Sequence, residues 1–256
     1  MQKTALFQIL YEDEHLIAVN KASGISVCAD RWDDSVKRLD KELALFLNLK
    51  KIYNIHRIDR DTSGLVIFAK EEGAHKKLSS AFENRQIRKR YIAAVHGRPV
   101  WKETACDLPL VPDGNKKHLT IIDKYQGKES LTRFRVLGSA GNYSIVEAIP
   151  ETGRTHQIRV HLSSLGHSIV CDGLYGNAKP VFLSAIKNRW KGDPLEERPL
   201  LSRLGLHAAE LKIPDYPYFK DKTSESKDLA LKAALPRDMA ALVRQMEKCS
   251  SSSFEI

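Results

Sequence analysis

Short apolar runs separated by polar turns divide the chain into strands and helices. HLIAVNK, residues 15–21, reads as a strand closed by the turn residues ASG, with Gly24 as the turn point. WDDSVKRLDKELALFL places Val36, Leu39, Leu43 and Leu47 at helical spacing, with Asp33, Asp34 or Ser35 available as the cap. GLVIFAK is a short apolar strand, and AHKKLSSAFENR repeats Ala74, Leu78, Ala81 and Phe82 on one helical face. KRYIAAVHG returns as a strand ending at Gly97. LTRFRVLG and YSIVEAIP then form an antiparallel hairpin through the turn tetrapeptide SAGN.

In RTHQIRVHLSSLG, the residues Ile158, Leu162 and Leu165 have helical spacing, and Gly166 can end the helix in the left-handed conformation. YPYFKDKTSESKD loses periodicity and reads as a linker to a last helix, DMAALVRQMEK, striped by Met239, Leu242, Val243 and Met246. The tail SSSFEI is expected to fray. Strands and helices mix without regular β-α-β alternation, which predicts an α+β fold with a mixed, mainly antiparallel central sheet flanked by helices. No internal repeat or low-complexity tract interrupts this order.

Composition narrows the classes. A chain of 256 residues with 42% hydrophobic content can bury a full core, as one large domain or two lobes. Lys+Arg of 41 against Asp+Glu of 32 gives a formal charge of +9, which favours a polyanionic partner or an anionic surface. Cys28, Cys106, Cys171 and Cys249 lie far apart, with no C-x-x-C pair and no dense disulfide pattern, so reduced thiols in a cytoplasmic protein are expected. Apolar character at the N-terminus stops at Glu12, Asp13 and Glu14, so neither a signal peptide nor a membrane span is expected.

Three polar clusters could carry chemistry. The first is IYNIHRIDRDTSGLVIFAK, where Asp59 and Asp61 stand among His56, Arg57 and Arg60 just before a buried strand. Either ordinary ion pairs hold a surface loop there, or a reactive carboxylate sits with substrate-gripping arginines. The second, ETGRTHQIRVH, gathers Arg154, His156, Gln157, Arg159 and His161. On a helix Arg154 would share a face with His161, and His156 with Arg159, but His156 and His161 miss the four-residue spacing that offers two imidazoles to one metal. A solvated helix face is the plain alternative. The third, ENRQIRKRY, leads Arg85, Arg88, Lys89 and Arg90 into Tyr91; the cations suit phosphates and the ring suits an unpaired base, although a basic helix end also occurs without such a ligand.

HRID is similar to the H-R-D loop of protein kinases, but its aspartate comes one place late, and neither the metal-binding asparagine nor a glycine-rich phosphate loop accompanies it. The clusters taken together resemble the RluA-type family of RNA pseudouridine synthases. YEDEHLIAVNKASG, HRIDRDTSGLVIFAK, KRYIAAVHG, GKESLTRFRVL, ETGRTHQIRVHLSSLGHSIVCDGLYG and RLGLHAAEL follow in the family's order over roughly residues 7–213.

That resemblance implies a pseudouridine synthase catalytic domain over residues 1–220, with a central basic cleft. Residues 221–256 would add a linker, a C-terminal helix and a tail packed on the same domain. It implies that Asp59, and not Asp61, is the catalytic aspartate. The reaction detaches uracil from C1′ of its ribose, turns it and rejoins it through C5, without metal, nucleotide or organic cofactor. The carboxylate would either attack C1′ or remove a proton from C2′, and both routes stay open. Arg159 would keep Asp59 ionised. Tyr91 would stack on the detached uracil, and Arg57 would fill the space left by the flipped nucleotide. Arg60, Arg85, Arg88, Lys89, Arg90, Arg154 and His156 are the further RNA-binding candidates, with Lys50, Lys51, Lys116 and Lys117 on the rim.

Ala22 stands where the family pattern has proline, Ser130 where it has alanine and Cys171 where it has glycine. The chain is expected to start almost at the catalytic domain, without the small basic N-terminal RNA-binding domain that many members of this family carry. The expected partner is structured tRNA or rRNA, with no membrane and no obligate protein partner. Two rival readings are a non-catalytic RNA-binding protein on the same scaffold and a metallohydrolase built on His156, His161 and His167.

Overall fold

The computed structural model describes residues 5–29, 37–115, 119–216 and 227–256. The expected cap residues Asp33, Asp34 and Ser35, together with Val36, Lys116 and Lys117, lie outside them, as do residues 217–226 of the expected linker. The chain forms two compact units, Met1–Arg90 with His207–Ala234, and Tyr91–Leu206 with Leu235–Ile256.

In the first unit β1 (Phe7–Glu12) pairs antiparallel with β2 (Leu16–Lys21), and β2 with β4 (Ser63–Ala69). The short β3 (Tyr53–Asn54) also lies antiparallel on β4. β4 meets β11 (Leu206–Tyr216) in parallel, through His207 opposite Ser63 and Ala208 opposite Gly64, and β12 (Lys227–Lys232) returns antiparallel along β11. Lys227 and Asp228, expected in the linker, therefore belong to a strand. Every residue of β4 is buried, which explains its unbroken apolar run. α1 (Leu39–Phe46) starts later than its periodicity suggested; Arg38 holds the cap position with its guanidinium on Asp40. α2 (Glu72–Glu83) buries Ala74, Leu78 and Ala81, as a 3.6-residue stripe requires.

The second unit is antiparallel throughout its main sheet, in the order β5 (Arg88–His96), β10 (Tyr143–Pro150), β9 (Thr132–Ala140) and β6 (Glu103–Cys106). A two-residue turn, Gly141–Asn142, closes the β9–β10 hairpin; Ser139 and Ala140 extend β9 rather than turning. β7 (Leu110–Val111) and β8 (Ile121–Ile122) form a separate small hairpin. α3 (Gln157–Ser164) places Ile158 and Leu162 in a core with Ala93, Phe134, Val146 and Leu206. α4 (Arg237–Ser250) buries all four residues of its expected stripe and packs on β9.

The tail departs from expectation. Phe254 is buried, its N–H donates to Glu247 Oε1 at 2.8 Å, and its ring lies where a side chain at Gly138 would stand. Three serines mask this residue in the sequence, but one aromatic ring in a vacant strand position buries enough apolar surface to dock the terminus.

Gly64, in the TSG of the first cluster, is required on two counts. Its φ is +114°, and a Cβ would meet the backbone of Ala208, with the nitrogen at 2.6 Å. Gly24 has φ +89° but open space around it. Gly64→Ala should therefore destabilise the fold by roughly 3–5 kcal/mol and Gly24→Ala by about 1 kcal/mol. Denaturant midpoints of the two variants measure this; equal losses would contradict the close approach of β4 and β11.

Candidate active site

The first cluster forms the loop between β3 and β4, held down by the NKASG segment at the end of β2. The Lys21 ammonium is buried and donates to the carbonyls of Ala22, Ile25 and Arg60 at 2.9, 2.8 and 2.8 Å. Gly24 N–H donates to the same Arg60 carbonyl at 2.9 Å, and Ser23 Oγ donates to Asp61 O at 2.6 Å. Thr62 N–H closes the turn onto Asp59 O. The backbone beneath Asp59 is thus fastened on both sides. Ala22 N–H donates to Leu6 O at 2.8 Å, a bond that proline, usual at this position, cannot make.

The two aspartates of this loop differ. Asp61 is half exposed and lies 3.6 Å from the equally exposed Arg60 guanidinium, a surface pair contributing about 0–1 kcal/mol. Asp59 is partly buried, next to the buried Ile58, while Arg57 is exposed.

His56 is not one of the loop's cations. Its Nε2 accepts the Ile67 N–H at 3.1 Å and its ring stacks on Phe82 at 4.6 Å. Burial, reinforced by the Lys89 ammonium, pushes the imidazole down to about 3. Burial, and then Arg85, lowers Lys89 in turn to about 8. Arg85 follows α2 with φ +57°, and Arg88, Lys89 and Arg90 open β5, which runs directly into Tyr91. Arg85 and Arg88 are exposed, whereas Lys89, Arg90 and Tyr91 are partly buried; Tyr91 packs on the core of the second unit.

The second cluster is not a solvated helix face. Residues 157–162 are all buried. Arg154 and His156 precede α3, so the expected sharing of helix faces does not apply; His156 is left-handed at φ +53°. Gln157 organises this entry. Its Oε1 accepts from Thr152 Oγ1 and the Arg154 N–H, and its Nε2 donates to Leu131 O and Thr132 Oγ1. Thr132 Oγ1 also meets His161 Nδ1, while His161 Nε2 lies 3.0 Å from Leu108 O, which can only accept. That fixes a neutral His161 with its proton on Nε2, and burial holds its pKa below the ordinary value. Ser130 joins the same network through Leu108 O and His161, which accounts for a hydroxyl where the family has alanine. Arg154 Nε donates to Glu129 O.

Arg159 is buried on α3, and its Nε and Nη2 each reach the Asp172 carboxylate at 2.8 Å. The Tyr175 ring lies 5.1 Å from the guanidinium, and the Tyr175 hydroxyl lies 2.8 Å from His156 Nδ1. Cys171, at the position where the family has glycine, adopts φ +58°, and burial raises its thiol to about 11. Lys21, Asp172 and Tyr175 were not singled out from the sequence; their signal was polarity inside or beside apolar runs. His156, His161 and His167 face different partners, and among the described residues no group of three or more potential metal ligands comes together. No helix among the described residues is long and apolar enough to cross a membrane.

Comparison with known proteins gives this arrangement its class. The model of the RNA pseudouridylate synthase family matches residues 15–164. The chain is 32% identical over 247 residues to ribosomal large subunit pseudouridine synthase D of Zymomonas mobilis, covering 93% of this chain and 72% of that one. It is 36% identical over 209 residues to the dual-specificity RNA pseudouridine synthase RluA of Vibrio cholerae, covering 82% and 78%. Human RNA pseudouridylate synthase domain containing 4 shares the fold at a TM-score of 0.68 and 22% identity, over 93% of this chain and 92% of that one. The fold is the α+β pseudouridine synthase fold. The chain belongs to the RluA-type RNA pseudouridine synthases, isomerases that act on RNA uridines.

The His56 environment has a measurable consequence. An unfolded imidazole binds its proton near 6.5, the folded one only near 3, so between these values the unfolded state carries more protons and stability falls as pH falls. At pH 5 the loss is about 2 kcal/mol relative to neutral pH. His56→Gln should remove that part of the slope in denaturant midpoints between pH 7 and 5. His96 and His161, also depressed, act alike in both proteins. An unchanged slope would contradict a desolvated, neutral His56.

Proposed function

We propose that Asp59 is the catalytic carboxylate, acting with Tyr91 and Arg159 on a uridine flipped out of structured RNA. The observation that carries this reading is the asymmetry of the two acids in one fastened loop: Asp61 is spent on an exposed pair with Arg60, whereas Asp59 is partly buried on a backbone held by Lys21, Gly24 and Thr62. A group that must meet one sugar carbon needs such a backbone, because an error of about 1 Å costs about a hundredfold in rate.

Tyr91 offers an aromatic face at the start of β5, suited to a free base. Arg57, Arg60, Arg85 and Arg88 are exposed cations for phosphates, with Lys89, Arg90, Arg154 and His156 as further contacts. The target is a folded stem-loop of rRNA or tRNA in the cytoplasm. The names of the two relatives, one acting on the large ribosomal subunit and one dual in specificity, support this class of substrate.

Asp59→Asn preserves size and removes the charge. It should lower pseudouridine formation at least ~1000-fold while leaving RNA affinity within about threefold. Tritium release from RNA labelled at uridine C5 measures the first, and filter binding the second. Undiminished turnover by this variant would overturn the assignment; wild-type protein that binds RNA without forming pseudouridine would favour a binding protein on this scaffold.

A further inference from the structure

Beyond residue 164, where the family match ends, the chain passes along β5 and turns at Asp172. The approach is anchored to that strand: His96 N–H donates to Ser168 O and Val170 N–H to Ala94 O, both at 2.9 Å. The Asp172 carboxylate is 1% exposed. Besides the Nε and Nη2 of Arg159 it accepts the N–H groups of Leu174 and Tyr175, at 2.9 and 3.2 Å. The next residue in contact is Tyr175, with its ring by the Arg159 guanidinium and its hydroxyl between His156 Nδ1 and the Thr120 N–H, at 2.8 and 2.9 Å. An amide N–H can only donate, so the hydroxyl accepts from Thr120 and its own proton can go to His156.

A buried ion pair is a poor way to gain stability, since desolvating two charges costs several kcal/mol per ion and well-packed apolar residues do as well. What a side-on carboxylate does provide is direction. It consumes the Nε–Nη2 edge of the planar guanidinium and leaves the Nη1 edge as the one that can serve another group. The pair is also neutral as a unit, so Arg159 acts through aimed N–H donors more than through net charge.

We propose that Asp172 is a positioning residue for the isomerisation: it fixes the orientation of the Arg159 guanidinium, and Tyr175 extends the same fixation to His156. The proposal rests on the reading that Arg159 serves the reaction. Burial alone pushes the Asp172 carboxyl up, but Arg159 and the two backbone N–H groups outweigh it and hold it below the ordinary range, so the clamp is ionised at neutral pH.

The test compares Asp172→Asn, Asp172→Glu, Tyr175→Phe and Arg159→Lys on total cellular RNA labelled with tritium at uridine C5, from cells lacking the enzyme. The maximal rate of release is read apart from its half-saturating RNA concentration, and melting is followed in parallel. Asp172→Asn is expected to lower the maximal rate by about 30- to 100-fold, with half-saturation within about threefold, at a temperature where the variant remains folded. Asp172→Glu keeps the charge but displaces the oxygens by one methylene, and should lose about tenfold; it also serves if the asparagine variant does not fold. Tyr175→Phe should lose less than either. Folded Asp172 variants with unchanged maximal rate, beside an Arg159→Lys variant that has lost it, would overturn the clamp and leave the role of Arg159 standing. An Arg159→Lys variant of full activity would instead remove the reading on which the clamp rests.

Discussion

A single buried ammonium underlies the architecture of the acidic loop. Lys21 ends a strand whose neighbours are apolar, and its charge has left water for a site made of three carbonyl oxygens. An ammonium carries three donors, and all three are satisfied, which is the condition for tolerating such burial. The carbonyls belong to two separate segments, 22–25 and 60, so the charge draws them together. Removing it would take the ammonium from the Ala22 and Ile25 carbonyls and leave the Arg60 carbonyl with the Gly24 N–H, so the loop would lose a contact that ties residue 60 to residues 22–25. The close approach permitted by Gly64 acts from the other end, seating β4 against β11 where the loop enters the sheet.

The second unit solves the same problem with an ion pair. Arg159 comes from a helix and Asp172 from a turn anchored on β5, the strand that begins beside Tyr91. Gln157 and His161, each two residues from Arg159 along α3, close a neutral polar network at the same helix. The Lys21 ammonium and the Arg159–Asp172 pair are thus each satisfied by neighbouring backbone and side-chain groups, and the reacting groups proposed here sit on segments that these contacts hold in place. Preorganisation of this kind suits a reaction whose rate comes from placement and electrostatics.

Much of this was legible in the sequence. The apolar run of β4, the stripes of α2 and α4, the β9–β10 hairpin and the mainly antiparallel α+β character all follow from periodicity, because each element turns one face to a core. Periodicity is silent about which polar residues go inside. His56 read as a near-cation although Phe82 and the Ile67 N–H make it a desolvated neutral acceptor. Arg154 and His156 were placed on a helix that begins only at Gln157, since Gln157 caps the turn by hydrogen bonds that no spacing rule contains. Phe254 looked like part of a polar tail because its partner, the bare backbone at Gly138, lies more than a hundred residues away in the chain. The motif order pointed to Asp59, Tyr91 and Arg159, but not to Lys21 or Asp172, whose importance appears only when the carbonyls and the guanidinium around them are known.

The most direct measurement is a pseudouridine map of RNA from cells that lack the gene product, compared with cells in which the wild-type chain, Asp59→Asn or Asp61→Asn has been restored at equal protein level. The account requires that at least one modified uridine disappear with the gene, return with the wild-type chain and with Asp61→Asn, and stay absent with Asp59→Asn. Return of the modification with Asp59→Asn, or its loss with Asp61→Asn alone, would contradict it.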